Sequence, residues 1–172
     1  MAIIIKANAD LTEAENQRLD RISDLAYGPD DSGLAWTDEA DWRVWLEIEG
    51  EIVSFLTIIQ RTARVDETPV RLGGVGGVAT HPDYQRKGYA AQVMSAAATF
   101  MRETLRVDFG HLLCSPELLP YYARFGFSGL KTGELSLPGP FERDRLLGLE
   151  LREGALDGAW GVIAPTGAPP LK

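Results

Sequence analysis

The alternation of apolar and polar residues divides the chain into segments with distinct periods. Ala2 to Ala7 carries three consecutive isoleucines and reads as a short strand. Leu11, Ala14, Leu19, Ile22, Leu25 and Ala26 recur at helical spacing up to Tyr27, with Asp10 or Thr12 able to cap the helix and Glu13 and Glu15 suited to its first turn. From Arg43 to Glu49, apolar Val44, Leu46 and Ile48 alternate with Arg43, Trp45, Glu47 and Glu49, the pattern of a half-buried strand. Glu49-Gly50-Glu51 reads as a hairpin turn, Ile52 to Gln60 as a central strand, Arg61 to Thr68 as a polar connection and Val70 to Thr80 as the next strand. Gly73, Gly74, Gly76 and Gly77 inside that strand suggest a bulge or a close approach by a ligand. Gly88 to Arg106 is the longest predicted helix, with Ala90, Val93, Met94, Ala97, Ala98, Met101 and Leu105 on one side. His111 to Cys114 follows as a strand, then Pro116 to Arg124 as a short helix with Ser115 as cap, and Arg145 to Arg152 as the last core strand.

Gly28 to Gly33 and Gly133 to Glu142 read as loops, and Thr37 to Ala40 as a cap with a short helical turn. Residues 153–172 form a Gly/Ala/Pro-rich tail in which Trp160 to Ile163 can pair. The element order is β-α-α-β-β-β-α-β-α-β. Adjacent strands imply antiparallel hairpins, and the strand–helix–strand passage around 88–106 implies a parallel crossover. The expected fold class is α+β, a mixed, mostly antiparallel sheet flanked by helices. We expect one domain over 1–172, its core at about 2–152.

Composition narrows the function. A chain of 172 residues, 45% hydrophobic, can bury a proper core. The net charge of −8 argues against sequence-independent nucleic-acid binding and is compatible with a cationic substrate. A single cysteine, Cys114, allows no internal disulfide and fits a reducing, cytoplasmic compartment. No apolar run is long enough to span a bilayer, and the start lacks the form of a signal peptide. A homodimer is left open.

The stretch that carries chemistry is Val78-Ala79-Thr80-His81-Pro82-Asp83-Tyr84-Gln85-Arg86-Lys87-Gly88-Tyr89-Ala90. Pro82 has no N–H to give and ends strand pairing. Beyond it, a glycine turn opens a helix. The first turn of a helix leaves N–H groups without intrahelical partners and carries partial positive charge. Gly88 lets a ligand approach the backbone, and Arg86 and Lys87 add full charge, so a diphosphate fits. The glycine spacing matches neither the Rossmann fingerprint nor the P-loop.

Gln85-x-x-Gly88-x-Ala90, placed between a β-run and a helix, resembles the coenzyme A signature of the GNAT superfamily of N-acetyltransferases. Tyr122-Ala123-Arg124-Phe125-Gly126-Phe127 resembles that family's Tyr-x-x-x-Gly-Phe segment. Together the two motifs cover roughly residues 44 to 127. The resemblance implies the acyl-CoA N-acyltransferase fold, acetyl-CoA as cosubstrate with no metal, and a small-molecule amine as acceptor. It implies that Val78, Ala79 and Thr80 pair with the pantetheine arm, and that Arg86, Lys87, Gly88, Tyr89, Ala90 and Ala91 hold the diphosphate. Ser115 is either a coenzyme contact or simply a helix cap. Tyr122 is the candidate acid for the departing thiolate; a core tyrosine beside Phe125 and Phe127 is the competing reading, and Tyr121 is the competing tyrosine.

A narrower resemblance points to the aminoglycoside 2′-N-acetyltransferases, and with it to antibiotic resistance. It rests on Thr37-Asp38-Glu39-Ala40-Asp41-Trp42, on Gln60-Arg61 and on Tyr122-Ala123-x-x-Gly126. Those enzymes carry a glutamate in the fourth strand that acts on the substrate amine, and this chain has Gly76 there. The base is therefore open among water relayed to Asp41, Glu39, His81 and His111. Trp36, Glu39, Asp41 and Trp42 are the candidate acceptor residues: carboxylates that attract a cation and aromatic faces that add cation–π contact. Cys114 reads as a buried thiol rather than a nucleophile.

Overall fold

Thr12 ends the extended start of the chain and begins its first helix. The computed structural model describes residues 1–28, 40–65, 68–130, 144–157 and 164–165. The loop expected over 29–33, the turn over 37–39, the loop over 133–142 and Trp160 to Ile163 lie outside the described residues, as do Trp36 and Glu39. The strands are β1 (Ala2–Ala7), β2 (Trp42–Ile48), β3 (Glu51–Val65), β4 (Thr68–Thr80), β5 (Phe109–Cys114), β6 (Ser128–Gly129), β7 (Arg145–Glu150) and β8 (Ala164–Pro165). The α-helices are α1 (Glu13–Tyr27), α2 (Tyr89–Phe100) and α3 (Leu119–Ala123). Seven strands form a mixed sheet in the order β1-β2-β3-β4-β5-β7-β6, and β8 adds to β3. The expected class is the observed one.

The chain packs as two compact units, one of Met1–Ile59 and Val75–Thr99, the other of Gln60–Gly74 and Phe100–Lys172. In the first, β1 pairs antiparallel with β2 and β2 with β3 through the register Ile4↔Trp45↔Phe55. Glu49 and Gly50 turn the β2–β3 hairpin with φ of 50° and 84°, the left-handed pair that matches strand twist. Leu19 and Ile22 of α1 pack with Trp45, Ile52, Phe55 and Ala79. This corrects the sequence reading of β2. Trp45 was expected on the solvated face, yet it is as buried as Val44 and Leu46, because α1 covers that side of the hairpin. Within α1 itself, Ala14 and Leu25 are exposed despite falling on the apolar stripe.

In the second unit, β4 and β5 run parallel through Leu72↔Phe109, Gly73↔Gly110 and Gly74↔His111, the crossover the sequence predicted. Three further expectations are corrected. Arg61 to Val65 continues β3 rather than forming a connection. The helix expected to reach Arg106 is regular only to Phe100; a π-helical turn, Met101–Leu105, follows and closes at Arg106 with φ 52°. Met101 then lies against Gly73 and Gly110, where an added Cβ at Gly73 would sit 2.4 Å from its sulfur. The helix expected over Pro116 to Arg124 is a 3-10 turn, Pro116–Leu118, followed by α3.

One buried carboxylate ties this unit together. Asp108 accepts the Arg71 backbone N–H at 2.7 Å and Arg152 Nε at 2.6 Å. Burial alone would raise its pKa; the Arg71 and Arg152 bonds outweigh burial and leave it lowered.

Candidate active site

Gly77 sets the geometry of the end of β4. Its φ of 55° is left-handed and breaks the extended run without a Cβ penalty. Thr57 fills the space beside it: a Cβ on Gly76 would lie 3.2 Å from Thr57 Oγ1. A side chain at Gly76 would press on Thr57 unless Thr57 gave way by a few tenths of an ångström.

Beyond Gly77, side chains take hold of the main chain. Tyr27 Oη donates to the Val78 carbonyl at 2.6 Å. Ser54 Oγ donates to the Ala79 carbonyl and meets Thr80 Oγ1, both at 2.9 Å. Gln85 Nε2 donates to the Thr80 carbonyl at 3.3 Å, so the first residue of the coenzyme signature anchors its own loop to the strand. His81 N–H rejoins Val53 O at 2.9 Å.

The turn that follows is built from strained and open backbone. Pro82–Tyr84 is a 3-10 turn capped by His81, whose Nδ1 accepts the Asp83 N–H at 3.3 Å. That local bond ties the His81 side chain to the turn. Arg86 adopts φ 62°, rare for a residue with a Cβ and costing about 1–2 kcal/mol. Lys87 Nζ reaches back to Asp83 O at 3.0 Å and sits 5.0 Å from the Tyr84 ring centroid. Gly88 has φ 81°, and an added Cβ would meet no atom of the described chain within 4 Å. Its carbonyl accepts the Gln92 N–H at 3.3 Å, which places Gly88 at the cap of α2 with no side chain to occupy the first-turn amides. No acidic residue lies in that turn, and Tyr89, Ala90 and Ala91 are half-buried. Open backbone amides and nearby positive charge are the features that favour an anion at a helix start.

Asp41 precedes β2 in the same unit. Its N–H donates to Ile58 O at 3.0 Å, and its carbonyl accepts the Asn8 N–H at 2.8 Å. Trp42 opens β2, paired with Ala7 and Ile58.

The second unit holds the remaining candidates. Tyr122 on α3 is buried, edge-on to Phe127 with ring centroids 6.1 Å apart and to Tyr121 at 5.1 Å. Gly126, at φ 87°, turns the chain after α3, its N–H donating to Ala123 O at 3.0 Å. Tyr121 stacks edge-on against Phe125, and its buried hydroxyl has no hydrogen-bond partner among the described residues, which the sequence did not suggest. Burial raises its pKa, the nearby Arg124 charge opposing. Ser115 stands at the cap of the 3-10 turn Pro116–Leu118, where its carbonyl accepts the Leu118 N–H at 3.0 Å and its side chain makes no capping bond. Cys114 is buried, and burial with the Asp144 charge raises its pKa, so it is a thiol. His111 lies on β5 between Gly74 and Gly148, its Nδ1 buried without a partner. Burial, with the Arg61 charge, lowers its pKa to about 4, so the imidazole is neutral at pH 7. Among the described residues, no group of three or more His, Cys, Asp or Glu could hold a metal ion, and no helix is long and apolar enough to cross a membrane.

A mixed sheet with a glycine-capped helix after its fourth strand defines the class, an acyl-CoA N-acyltransferase fold. The family model for the acetyltransferase (GNAT) domain matches residues 10–129, and the chain belongs to that family of acetyltransferases. No curated protein matches the sequence at a significant level. Among solved structures, the fold is similar to a GNAT family N-acetyltransferase (YhbS) from Escherichia coli in complex with CoA (TM-score 0.68, 16% identity, 94% of this chain and 88% of that one). It is also similar to an acyl-CoA N-acyltransferase from Pseudomonas aeruginosa (0.64, 18%, 86% and 98%). A third is the ribosomal-protein-S18-alanine N-acetyltransferase from Escherichia coli (0.60, 14%, 88% and 95%).

Proposed function

We propose that the chain works as one acetyltransferase domain that moves an acetyl group from acetyl-CoA to the primary amine of a small, cationic molecule. The observation that carries the coenzyme half is the Gly88 cradle: an uncapped helix start with open space, no acid in its first turn and two cations before it. Amides of 86–91 hold the diphosphate, and the main chain of Val78 to Thr80 pairs with the amide-rich pantetheine arm as an added strand would.

Attack by a neutral amine forms the C–N bond as the C–S bond breaks. A backbone N–H near Val78 meets the thioester oxygen as it gains charge. Tyr122 gives its proton to the leaving thiolate; a phenol of pKa about 10 suits a thiol of about 8.5. With Gly76 in place of a carboxylate, the amine proton passes to water and on to Asp41. The cationic acceptor rests on the net charge of −8 and on Asp41, Glu39, Trp36 and Trp42, as does the aminoglycoside-like choice among amines.

A thiol-release assay with acetyl-CoA against polyamines, aminoglycosides and short peptides tests this. Turnover with cationic small amines is expected, with a Michaelis constant that rises with salt. Turnover of peptides alone would move the acceptor to a protein N-terminus or lysine. Coenzyme binding without turnover on any amine would make the chain a sensor domain.

A further inference from the structure

The three carbonyls that follow Gly77 are each held by a side chain from a different part of the first unit: Val78 by Tyr27, Ala79 by Ser54 and Thr80 by Gln85. Alternate residues of a strand direct their main-chain groups to opposite edges. The Ala79 carbonyl and the His81 N–H both reach β3. The polar groups of Val78 and Thr80 therefore face the other edge, the one assigned to the pantetheine arm.

We propose that Tyr27 is a positioning residue for the acyl coenzyme, its phenol locking the Val78 carbonyl in the orientation that pairs with the pantetheine amide. This rests on the acetyl-CoA reading of the same edge. The need for a lock follows from the two residues before Val78. Gly76 and Gly77 restrain the backbone less than any other pair, and Gly77 already sits in the left-handed region. Without a tether, the Val78 peptide would sample several orientations, and a ligand would have to order it on binding. A carbonyl oxygen has two lone pairs, so the Tyr27 bond leaves one for the ligand.

The bond is suited to orientation more than to stability. It lies at the exposed C-terminal turn of α1, where a hydrogen bond adds little to the folded state. Tyr27 as a residue is exposed, and its hydroxyl end meets the strand at 2.6 Å. Burial of that end raises the phenol pKa, which keeps the donor protonated at neutral pH.

The test compares the full chain with Tyr27→Phe, which keeps the ring and removes the donor. Calorimetry with acetyl-CoA should show affinity weakened about tenfold, the scale of one lost hydrogen bond near 1.4 kcal/mol. The Michaelis constant for acetyl-CoA should rise while that for the amine stays the same. Amide hydrogen exchange at 78–80 should quicken in the ligand-free protein, with the melting temperature unchanged. Equal or tighter coenzyme binding in Tyr27→Phe would overturn the inference and leave the acetyltransferase reading standing. A lower melting temperature with faster exchange throughout the unit would also overturn it, because Tyr27 would then only hold α1. Failure of the unaltered chain to bind acetyl-CoA would remove the acetyl-CoA reading, and this inference with it.

Discussion

The starts of α1 and α2 belong to the same unit and treat the same physical problem in opposite ways. Each helix begins with N–H groups that have no intrahelical partner and with the positive end of its dipole. At α1 the chain satisfies them itself. The Thr12 side chain accepts the Glu15 N–H, and Glu15 reaches back to the Thr12 N–H at 2.8 Å, a complete capping box. Glu13 and Glu15 offset the dipole, and Lys6 locks Glu15 with an ion pair at 2.7 Å. At α2 the capping position is Gly88, the first turn lacks an acid, and the residues ahead are Arg86 and Lys87. One start is closed by its own residues, and the other has no side chain at its capping position. A glycine cap costs roughly a few tenths of a kcal/mol relative to a Ser, Thr, Asp or Asn cap. The left-handed Arg86 adds to that cost.

The largest expected effect separates holding from chemistry. Tyr122→Phe should lower kcat by about 10²–10⁴-fold with the affinity for acetyl-CoA little changed, since it leaves the open helix start intact. Rate and binding measured on one preparation check this. Equal loss in Tyr121→Phe and none in Tyr122→Phe would shift the proton donor to the unpartnered Tyr121 hydroxyl.

A smaller effect is expected at the closed start. Thr12→Ala should cost about 1 kcal/mol of stability in urea unfolding and leave coenzyme affinity as it was. A change in coenzyme affinity there would break the contrast between the two helices.

The smallest effect is one of pH. The Lys6 hydrogen bond, then the bonds to Thr12, hold the Glu15 pKa at about 2 rather than the usual 4.5. A carboxylate with a depressed folded pKa gives stability that is present above about 4.5 and lost as pH falls toward 2. A carbon-detected NMR titration should find the Glu15 midpoint well below those of other glutamates. The start of α2 has no acid to titrate and should not respond in that window.

The features legible in the sequence were those carried by local chemistry. Pro82 ends β4, Gly88 opens α2, and Thr12 was one of two residues able to cap α1, with Glu15 suited to its first turn. Each is fixed by residues within a few positions of it. What was missed depends on partners far along the chain. Trp45 looked solvated because it alternates with the apolar positions alongside Arg43, Glu47 and Glu49, and the packing of α1 over the β2–β3 hairpin buries it. The bonds of Tyr27 to Val78 and of Ser54 to Ala79 join residues distant in sequence and leave no periodic trace. Met101 was rightly placed on the apolar side of its helix, but the π-helical turn that sets it against Gly73 has no signature in the pattern. β6, with two residues, is too short for any period to register.

The central claim is that the open start of α2 holds the coenzyme through its backbone, and Gly88 tests it most directly. A side chain at φ 81° is strained, and its Cβ would project into the space assigned to the diphosphate. Calorimetric titration of acetyl-CoA into the intact chain and into Gly88→Val is the measurement. The account predicts clear binding to the first and loss of most of the affinity in the second, with Arg86→Ala losing less because the main chain gives most of the contacts. Unaltered affinity in a folded Gly88→Val protein would contradict it.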